Sequence, residues 1–283
     1  MNGAISCDGL GELLIQLHDR YNTPDFIEAD PISIPHRFFL REGVERLVGD
    51  AGAAVDFGGV PAWQKDVEIA GFLAATIAWG NRKAIVKSAG RMVDLMEGQP
   101  YDFVMNASPA ELDGVTGYVH RTFNGGDFRS FLLALRHIYS EFGSMGAFFE
   151  GEYLRSGDLR RVISRFREEF FSPPHAARCE KHLSSIDRGA ACKRTCMFLR
   201  WMVRRDDRGV DFGLWRGIPA AALYLPLDVH SAATARSMGL LTRRQNDWKA
   251  VEEVTARLWE FSAEDPAKFD FALFGVGISG VGV

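Results

Sequence analysis

The 283-residue chain has few cysteines and no long apolar stretch, and these absences exclude several classes of protein. Cys7, Cys179, Cys192 and Cys196 are too few for a disulfide framework, and in a reducing compartment they would be mostly thiols. No apolar run reaches the roughly 18 residues that a membrane span needs. The N-terminus has no basic segment followed by an apolar one, so no secretory signal is recognisable. We therefore expect a cytoplasmic protein without membrane contact.

The sequence also lacks an overall excess of basic residues. Its formal net charge is −4, so composition alone does not indicate binding to nucleic acid. The distribution of charge is uneven, because seven basic and two acidic residues between Arg188 and Arg208 give a local charge of +5. Such a patch is typical of an anion-binding site and equally of a solvated helix face, and the segment alone does not decide between them.

Few segments show the two-residue alternation of strands, whereas helical periodicity recurs along the chain. The apolar segment 66–79 predicts a central buried helix. Pro31 and Pro35 predict an extended segment over 30–38, and a glycine-rich loop is predicted over 49–63. Further helices are predicted over 10–21, 83–96, 128–142, 159–171, 193–205, 229–238 and 248–261, with a last one from 269. We predict a single all-α unit over 1–283, with lobes over 65–205 and over 1–64 plus 206–283.

Lys193 opens one of these helices, directly after the small residues "GAAC". At about 100° per residue, Lys193, Met197, Arg200 and Arg204 share one stripe of the helix. The positive end of the helix dipole and nearby arginines favour the neutral amine, which is the form that a nucleophile needs. Arg200 and Arg204 lie about 10–16 Å further along and could contact a phosphate backbone. The alternatives are a surface lysine and two arginines in ordinary salt bridges.

Asp228 follows the apolar approach "YLPL" and precedes a helix rich in small residues. Aspartate is a favoured residue at a helix N-cap, where its carboxylate accepts hydrogen bonds from backbone N–H groups. That role explains the residue by itself, but it also fixes an ionised carboxylate where a cleft could use it. His230, two residues later, could point to the same place or simply pack.

His175, Cys179 and His182 are spaced by four and three residues, which would place them on one helix face. Together with Cys192 or Cys196 they could form a tetrahedral zinc site. The spacing matches no familiar zinc module, and a cysteine is often a small buried hydrophobic residue. We therefore predict no metal.

Several longer motifs carry a family resemblance. The segments "ACKRTCMFLRWMVRRD", "VDFGLWRGIP", "LPLDVHSAATARSMGLLTRRQNDW" and "DPAKFDFALFGVGIS" resemble an uncharacterised family of bacterial proteins known by a domain-of-unknown-function label. The segments "DPISIPHRF" and "DVEIAGFLAATIAWGNRKAI" fit the same family. The resemblance covers nearly the whole chain and is less clear around 100–185.

That family in turn resembles the helix-hairpin-helix DNA glycosylases, most nearly the archaeal 8-oxoguanine glycosylases. In these enzymes a lysine opens the second hairpin helix, and a proline-hydrophobic-Asp element opens a later helix. Lys193 and the "PLDVH" segment with Asp228 match these positions in order. The resemblance implies a two-lobed all-α bundle with a cleft between the lobes, which would excise a base from damaged duplex DNA. An oxidised purine is one candidate for that base.

The resemblance also implies roles for individual residues. Lys193 would be the nucleophile that forms a Schiff base, and Asp228 would deprotonate or orient it. The segment "FLAATIAWGNRK" resembles the helix whose end carries a residue inserted into the DNA, which would be Asn81 or Arg82 here. The other candidates for contact with DNA or the base are Trp79, Arg194, Arg200, Arg204 and His230, of which Trp79 could equally belong to the core.

Two features of the glycosylases are missing from this sequence. The segment "SSIDRGAAC" occupies the place of the glycine-rich hairpin that binds DNA phosphate, and no four-cysteine iron–sulfur loop lies near the C-terminus. We therefore expect no cofactor and no obligate protein partner. The functional hypothesis is a DNA repair glycosylase with AP lyase activity. The alternatives are a non-catalytic nucleic-acid-binding protein, or a structural helical protein in which Lys193 and Asp228 form a salt bridge.

Overall fold

The computed structural model describes residues 7–48 and 59–279, with the backbone alone for 7–8 and 41–48. The predicted glycine-rich loop over 49–63 lies mostly outside these residues. In chain order the α-helices of the described residues are α1 (Cys7–Tyr21), α2 (Pro24–Ile27), α3 (Ser33–Val48), α4 (Ala62–Thr76), α5 (Arg82–Leu95), α6 (Pro100–Asn106), α7 (Pro109–Gly114), α8 (Gly125–Phe142), α9 (Met145–Ser156), α10 (Leu159–Phe170), α11 (Lys193–Val203), α12 (Val229–Ser237), α13 (Trp248–Trp259) and α14 (Asp270–Ser279).

The other regular elements are short. Single 3-10 turns cover Val115–Gly117, Ala177–His182, Ala220–Ala222 and Pro266–Phe269, and two strands, β1 (Val119–His120) and β2 (Phe123–Asn124), pair antiparallel. The prediction of an all-α protein is confirmed, with this small hairpin as its exception within the described residues. No helix in the described part of the chain has the length and apolar content that crossing a membrane requires.

The segment 30–38 corrects one prediction. It is not extended, because α3 begins at Ser33 and includes Pro35 in its first turn. Proline is tolerated there, since the backbone N–H groups of the first turn have no partner within the helix. The prolines therefore mark the start of a helix in this sequence.

The described residues fall into two compact units. The first contains 7–26, 185–213 and 218–279, and the second contains 27–48, 59–184 and 214–217. Helices α11, α12 and α14 therefore belong to the first unit. The division into lobes over 65–205 and over 1–64 plus 206–283 stays a prediction.

The second unit is built around α4, which is buried on nearly every side from Val67 to Thr76. Phe72 of α4 packs edge-on against Phe166, with ring centroids 5.6 Å apart, and lies 5.3 Å from the ring of Phe170. Burying an aromatic side chain of this size contributes about 1.5–3 kcal/mol. This aromatic core joins α4 to α10.

The first unit contains a close helix packing that depends on glycine. Helix α14 packs against α1 and α12, and Gly277 lies where it meets the first turn of α12. A Cβ on Gly277 would lie 2.9 Å from the carbonyl oxygen and the Cβ of His230. The absence of a side chain therefore lets α14 approach the backbone that follows Asp228.

A pair of adjacent glycines allows a sharp test of packing in the second unit. A Cβ on Gly125 would lie 2.0 Å from the carbonyl oxygen of Thr116, whereas a Cβ on Gly126 would meet nothing closer than the Asn124 side chain at 3.4 Å. We expect Gly125→Ala to lower the free energy of unfolding by about 2–3 kcal/mol through overpacking. We expect Gly126→Ala to be close to neutral. Urea denaturation measures both, and equal stabilities would contradict the steric argument.

Candidate active site

Helix α11 is buried along almost its whole length, from Thr195 to Val203. Its first residue is Lys193, whose side chain keeps 26% of its exposure. Cys192 precedes it in the left-handed conformation, with φ +48°, which is uncommon for a residue other than glycine. The lysine is therefore the accessible beginning of a core helix, held on a fixed backbone.

The structure brings Lys193 and Asp228 together. The lysine Nζ lies 3.9 Å from Oδ2 of Asp228, and the aspartate side chain keeps 20% of its exposure. The two residues are 35 positions apart in the sequence and stand at the starts of two different helices of one unit. An amine and a carboxylate are thus placed side by side, both partly open to solvent.

The two oxygens of Asp228 do different work. Oδ1 accepts hydrogen bonds from the backbone N–H groups of His230 at 2.8 Å and Ser231 at 2.9 Å, as expected of an N-cap. The Ser231 hydroxyl in turn accepts from the Asp228 backbone N–H, which completes a capping box. Oδ2 is the oxygen that faces Lys193. Capping therefore fixes the carboxylate and leaves one oxygen for the amine.

Arg200 and Arg204 lie inside the unit, where carboxylates surround them. Arg200 bonds Asp270 through Nη1, and its Nε lies 3.4 Å from Asp211. The Arg204 contacts are Asp265 at 2.7 Å, Asp206 at 2.6 Å and Asp211 at 3.0 Å. We call Arg200, Arg204, Asp206, Asp211, Asp265 and Asp270 the buried ion network.

The charges in this network depend on each other. Burial alone would lower the pKa of Arg204, but Asp211, Asp265 and Asp206 together raise it. Only 5% of Arg200 and 2% of Arg204 is exposed. Because their guanidinium groups are turned into the unit and occupied by carboxylates, we do not include them among the DNA contacts proposed below.

Asp270 connects the network to the amine–carboxylate pair. It is the first residue of α14 and is buried. Burial raises the pKa of Asp270 to about 6, which Arg200 and then Lys193 oppose and Asp228 reinforces. The carboxyl group therefore lies within electrostatic range of both Lys193 and Asp228.

Two other predicted contact residues lie in the same unit. His230 is exposed in the first turn of α12, and its ring lies edge-on to Phe274 of α14 at 6.3 Å between centroids. Arg194 directly follows Lys193 and is half-buried, and burial lowers its pKa to about 10. Both residues are sequence neighbours of the amine–carboxylate pair.

The predicted contact residues Trp79, Asn81 and Arg82 belong to the second unit. Trp79 is half-buried, with its ring stacked on His182 at 6.0 Å and edge-on to His120 at 5.3 Å. Asn81 is exposed and is the N-cap of α5, accepting from the Ala84 N–H at 3.1 Å. Arg82 is half-buried and pairs with Asp30 at 2.7 Å. Each residue has a local structural role.

The histidines and cysteine weighed as zinc ligands have other neighbours. His182 lies 3.2 Å from Asp127, the Cys179 thiol donates to the same carboxylate at 3.2 Å, and His175 lies 3.6 Å from Glu180. Within 7–48 and 59–279, no group of three or more histidine, cysteine, aspartate or glutamate residues is placed to hold a metal ion.

Sequence reasoning missed the acidic half of the buried ion network. Two arginines four residues apart on a helix that is otherwise apolar require buried counter-charges, because an unpaired buried charge is very costly. Acidic residues close to apolar segments, in "VDFGLW" and "DPAKFDF", were the available signal for Asp211, Asp265 and Asp270. That pairing would have predicted a core network in place of a phosphate-binding stripe.

Comparison with known proteins gives a family without an activity. The model of a family described as "Protein of unknown function (DUF2400)" matches residues 55–279. This range includes Lys193, Asp228 and the whole buried ion network. The chain matches none of the curated proteins and none of the solved structures with which it was compared.

Proposed function

Because the chain belongs to the DUF2400 family, whose description names no reaction, we propose from its own residues that it is a DNA glycosylase with AP lyase activity. The observation that carries this proposal is the 3.9 Å separation between Lys193 Nζ and Asp228 Oδ2, with both side chains partly exposed. A lysine beside a carboxylate is the arrangement that amine nucleophiles require. The helix-hairpin-helix glycosylase type of fold is part of the same proposal.

The first step in this reaction is displacement of the base. Lys193, as free amine, forms a bond from Nζ to the sugar C1′, while the bond from C1′ to the base nitrogen breaks and its electron pair leaves with the base. Asp228 Oδ2 accepts the proton that the attacking nitrogen loses. The same carboxylate stabilises the positive charge that develops on the sugar. The proton can then pass to the departing base, which leaves neutral.

The second step cuts the strand. Opening of the sugar ring leaves a protonated Schiff base between Nζ and C1′, which acidifies the hydrogens on C2′. Loss of a C2′ proton and departure of the 3′ phosphate complete a β-elimination. Water then hydrolyses the Schiff base and releases the lysine. Only the amine and the carboxylate of the protein are needed, so no cofactor enters the reaction.

The proposed contacts with DNA come from residues outside the buried ion network. Arg194 and His230 adjoin Lys193 and Asp228 in the sequence, and both keep accessible surface. In the second unit, Asn81 and Arg82 would supply the residue inserted into the duplex, and Trp79 would stack on the base. Damaged duplex DNA carrying an oxidised purine is the proposed substrate.

Borohydride trapping tests the proposal, because it reduces a Schiff base to a permanent bond between protein and DNA. We expect the wild-type protein to be trapped on duplexes that carry an abasic site or 8-oxoguanine. Lys193→Gln should abolish trapping and nicking, and Asp228→Asn should slow them by about 10²–10⁴-fold, which is the usual contribution of a general base.

A matched control exists in the same unit. Lys249 is an exposed lysine in the first turn of α13, next to the capping carboxylate of Asp247. Lys249→Gln should therefore trap as well as the wild type. Trapping of Lys193→Gln at the wild-type level would refute the proposed nucleophile.

The same experiment identifies the alternatives. Salt-dependent binding to undamaged duplex without trapping would indicate a non-catalytic nucleic-acid-binding protein. Absence of both binding and trapping would leave the Lys193–Asp228 pair as a structural salt bridge.

A further inference from the structure

The amine–carboxylate pair has a second acidic neighbour that the proposed reaction does not use. Asp270 starts α14, and its carboxylate is held by Arg200, which lies two turns after Lys193 on α11. Cys196, one turn from Lys193 on the same helix, is also within the electrostatic range of Asp270. These relations place Asp270 against the first half of α11, on the buried side of the pair.

We propose that Asp270 is a positioning residue for Lys193, whose negative charge, anchored by Arg200, holds the lysine amine beside Asp228 and sets its protonation. The inference rests on the proposed function, since a positioning residue needs a reaction to serve. Asp270 does not touch the substrate in this scheme. It acts on the nucleophile from the interior, and Asp228 acts on it from the accessible side.

Two features of the geometry support this role. Arg200 contacts both Asp270 and Asp211, and its guanidinium carbon lies 4.1 Å from the ring centroid of Phe271, so the residue that holds Asp270 is itself fixed. The pKa of about 6 also means that the Asp270 carboxyl changes charge near neutral pH. Lys193 then experiences one carboxylate in acid and two above pH 6.

The ionisable groups around Asp270 define what else could titrate there. On α11 they are Lys193, Cys196 and Arg200, and the loop that follows contributes Asp211. From the other elements packed against α14 they are Asp228 and His230 at α12, His18 and Tyr21 on α1, and Lys268 before α14. Burial lowers the pKa of His18 to about 4, which separates it from a transition near pH 6.

The test measures the reactivity of the Lys193 amine without any DNA. Acetylation by an N-hydroxysuccinimide ester is followed at each pH by mass spectrometry of the peptide that contains Lys193. In Asp270→Asn the ammonium form loses a favourable charge, so we expect the labelling profile to move to lower pH. The labelling rate at pH 8 should be about threefold to tenfold higher than in the wild type.

Matched variants separate the charge from a general loosening of the fold. Asp270→Glu keeps the charge and should restore the wild-type profile. Asp265→Asn removes a carboxylate from Arg204 in the same network, at 2.7 Å, and should leave the Lys193 profile unchanged. Equal shifts in Asp270→Asn and Asp265→Asn, or a faster rate without a shift along the pH axis, would overturn the inference.

A measurement on the unmutated chain covers the case in which Asp270→Asn does not fold. Lysines carrying ¹³C-methyl groups report nearby charges by NMR, and Lys193→Arg identifies the Lys193 signal. We expect that signal to show a step near pH 6 as Asp270 ionises. A flat signal through this range would overturn the inference.

The two proposals fail in different ways. A protein that shows the step near pH 6 but is never trapped on DNA would refute the glycosylase activity and retain the influence of Asp270 on the amine. A protein that is trapped but shows neither the step nor the shifted profile would refute the role of Asp270 alone.

Discussion

Arg204→Met is expected to be one of the most destabilising single changes in the first unit. It removes the cation that Asp206, Asp211 and Asp265 share and leaves their carboxylates without it in a buried position. Breaking a buried ion pair by removing one partner costs about 3–5 kcal/mol. Since whole domains are stable by only about 5–15 kcal/mol, the loss of Arg204 should bring this unit close to unfolding. Urea denaturation gives the change in the free energy of unfolding.

The control for this prediction is an exposed ion pair of the same unit. Arg208 contacts Asp19 where both side chains remain open to solvent. Exposed pairs contribute about 0–1 kcal/mol, so Arg208→Met should change stability by about that amount at most. If Arg204→Met cost no more than Arg208→Met, the buried ion network would have no special role in the fold.

Glu68→Ala is expected to have a comparable effect in the second unit. The Glu68 carboxylate is fully buried on α4 and accepts four hydrogen bonds. Oε1 accepts from Trp215 Nε1 at 2.9 Å and the Gly146 N–H at 3.2 Å, and Oε2 accepts from the Tyr139 hydroxyl at 2.8 Å and the Met145 N–H at 3.1 Å. Burial raises the pKa of Glu68, and these hydrogen bonds oppose the shift.

The size of this effect follows from the donors that the alanine variant abandons. Each buried polar group left without a partner costs about 1–3 kcal/mol, so the loss should be about 4 kcal/mol or more for four donors. Glu68→Gln has nearly the same shape but directs an NH₂ group at two of the donors, so it should lose about 2 kcal/mol. Thermal and urea unfolding would rank the variants as wild type, Gln and Ala.

A surface glutamate of the same unit provides the comparison. Glu168 on α10 is exposed and lies 3.4 Å from Arg165. Glu168→Ala should change the free energy of unfolding by only about 0.5 kcal/mol. A Glu68→Gln variant as stable as the wild type would show that the four donors do not need a carboxylate.

The sequence predicted the helices well because their signals are local and repeated. Helix α10 was expected over 159–171 and covers Leu159–Phe170, and α12 was expected over 229–238 and covers Val229–Ser237. The hairpin of β1 and β2 was missed, since two-residue strands are too short to show any alternation. Pro35 misled the prediction for α3, because a proline reads the same way whether it breaks a helix or starts one.

The site was less accessible from the sequence than the fold. Residue types suggested Lys193 and Asp228 separately, but only the resemblance linked them, and their 3.9 Å separation depends on how α11 and α12 pack. Periodicity placed Lys193, Arg200 and Arg204 on one stripe, as if that face were on the surface. The partners that bury this face, Asp211, Asp265 and Asp270, lie 7 to 70 residues away along the chain. No local pattern encodes such distances.

The burial of α11 limits how far its first residue can reach. The Cα of Lys193 is anchored by ten further residues of core helix, so the amine can sweep only the short arc that four methylene groups allow. In the proposed reaction the enzyme therefore cannot search for the sugar by moving its nucleophile. The nucleotide has to travel to a stationary amine, and the distortion that excision demands falls on the DNA.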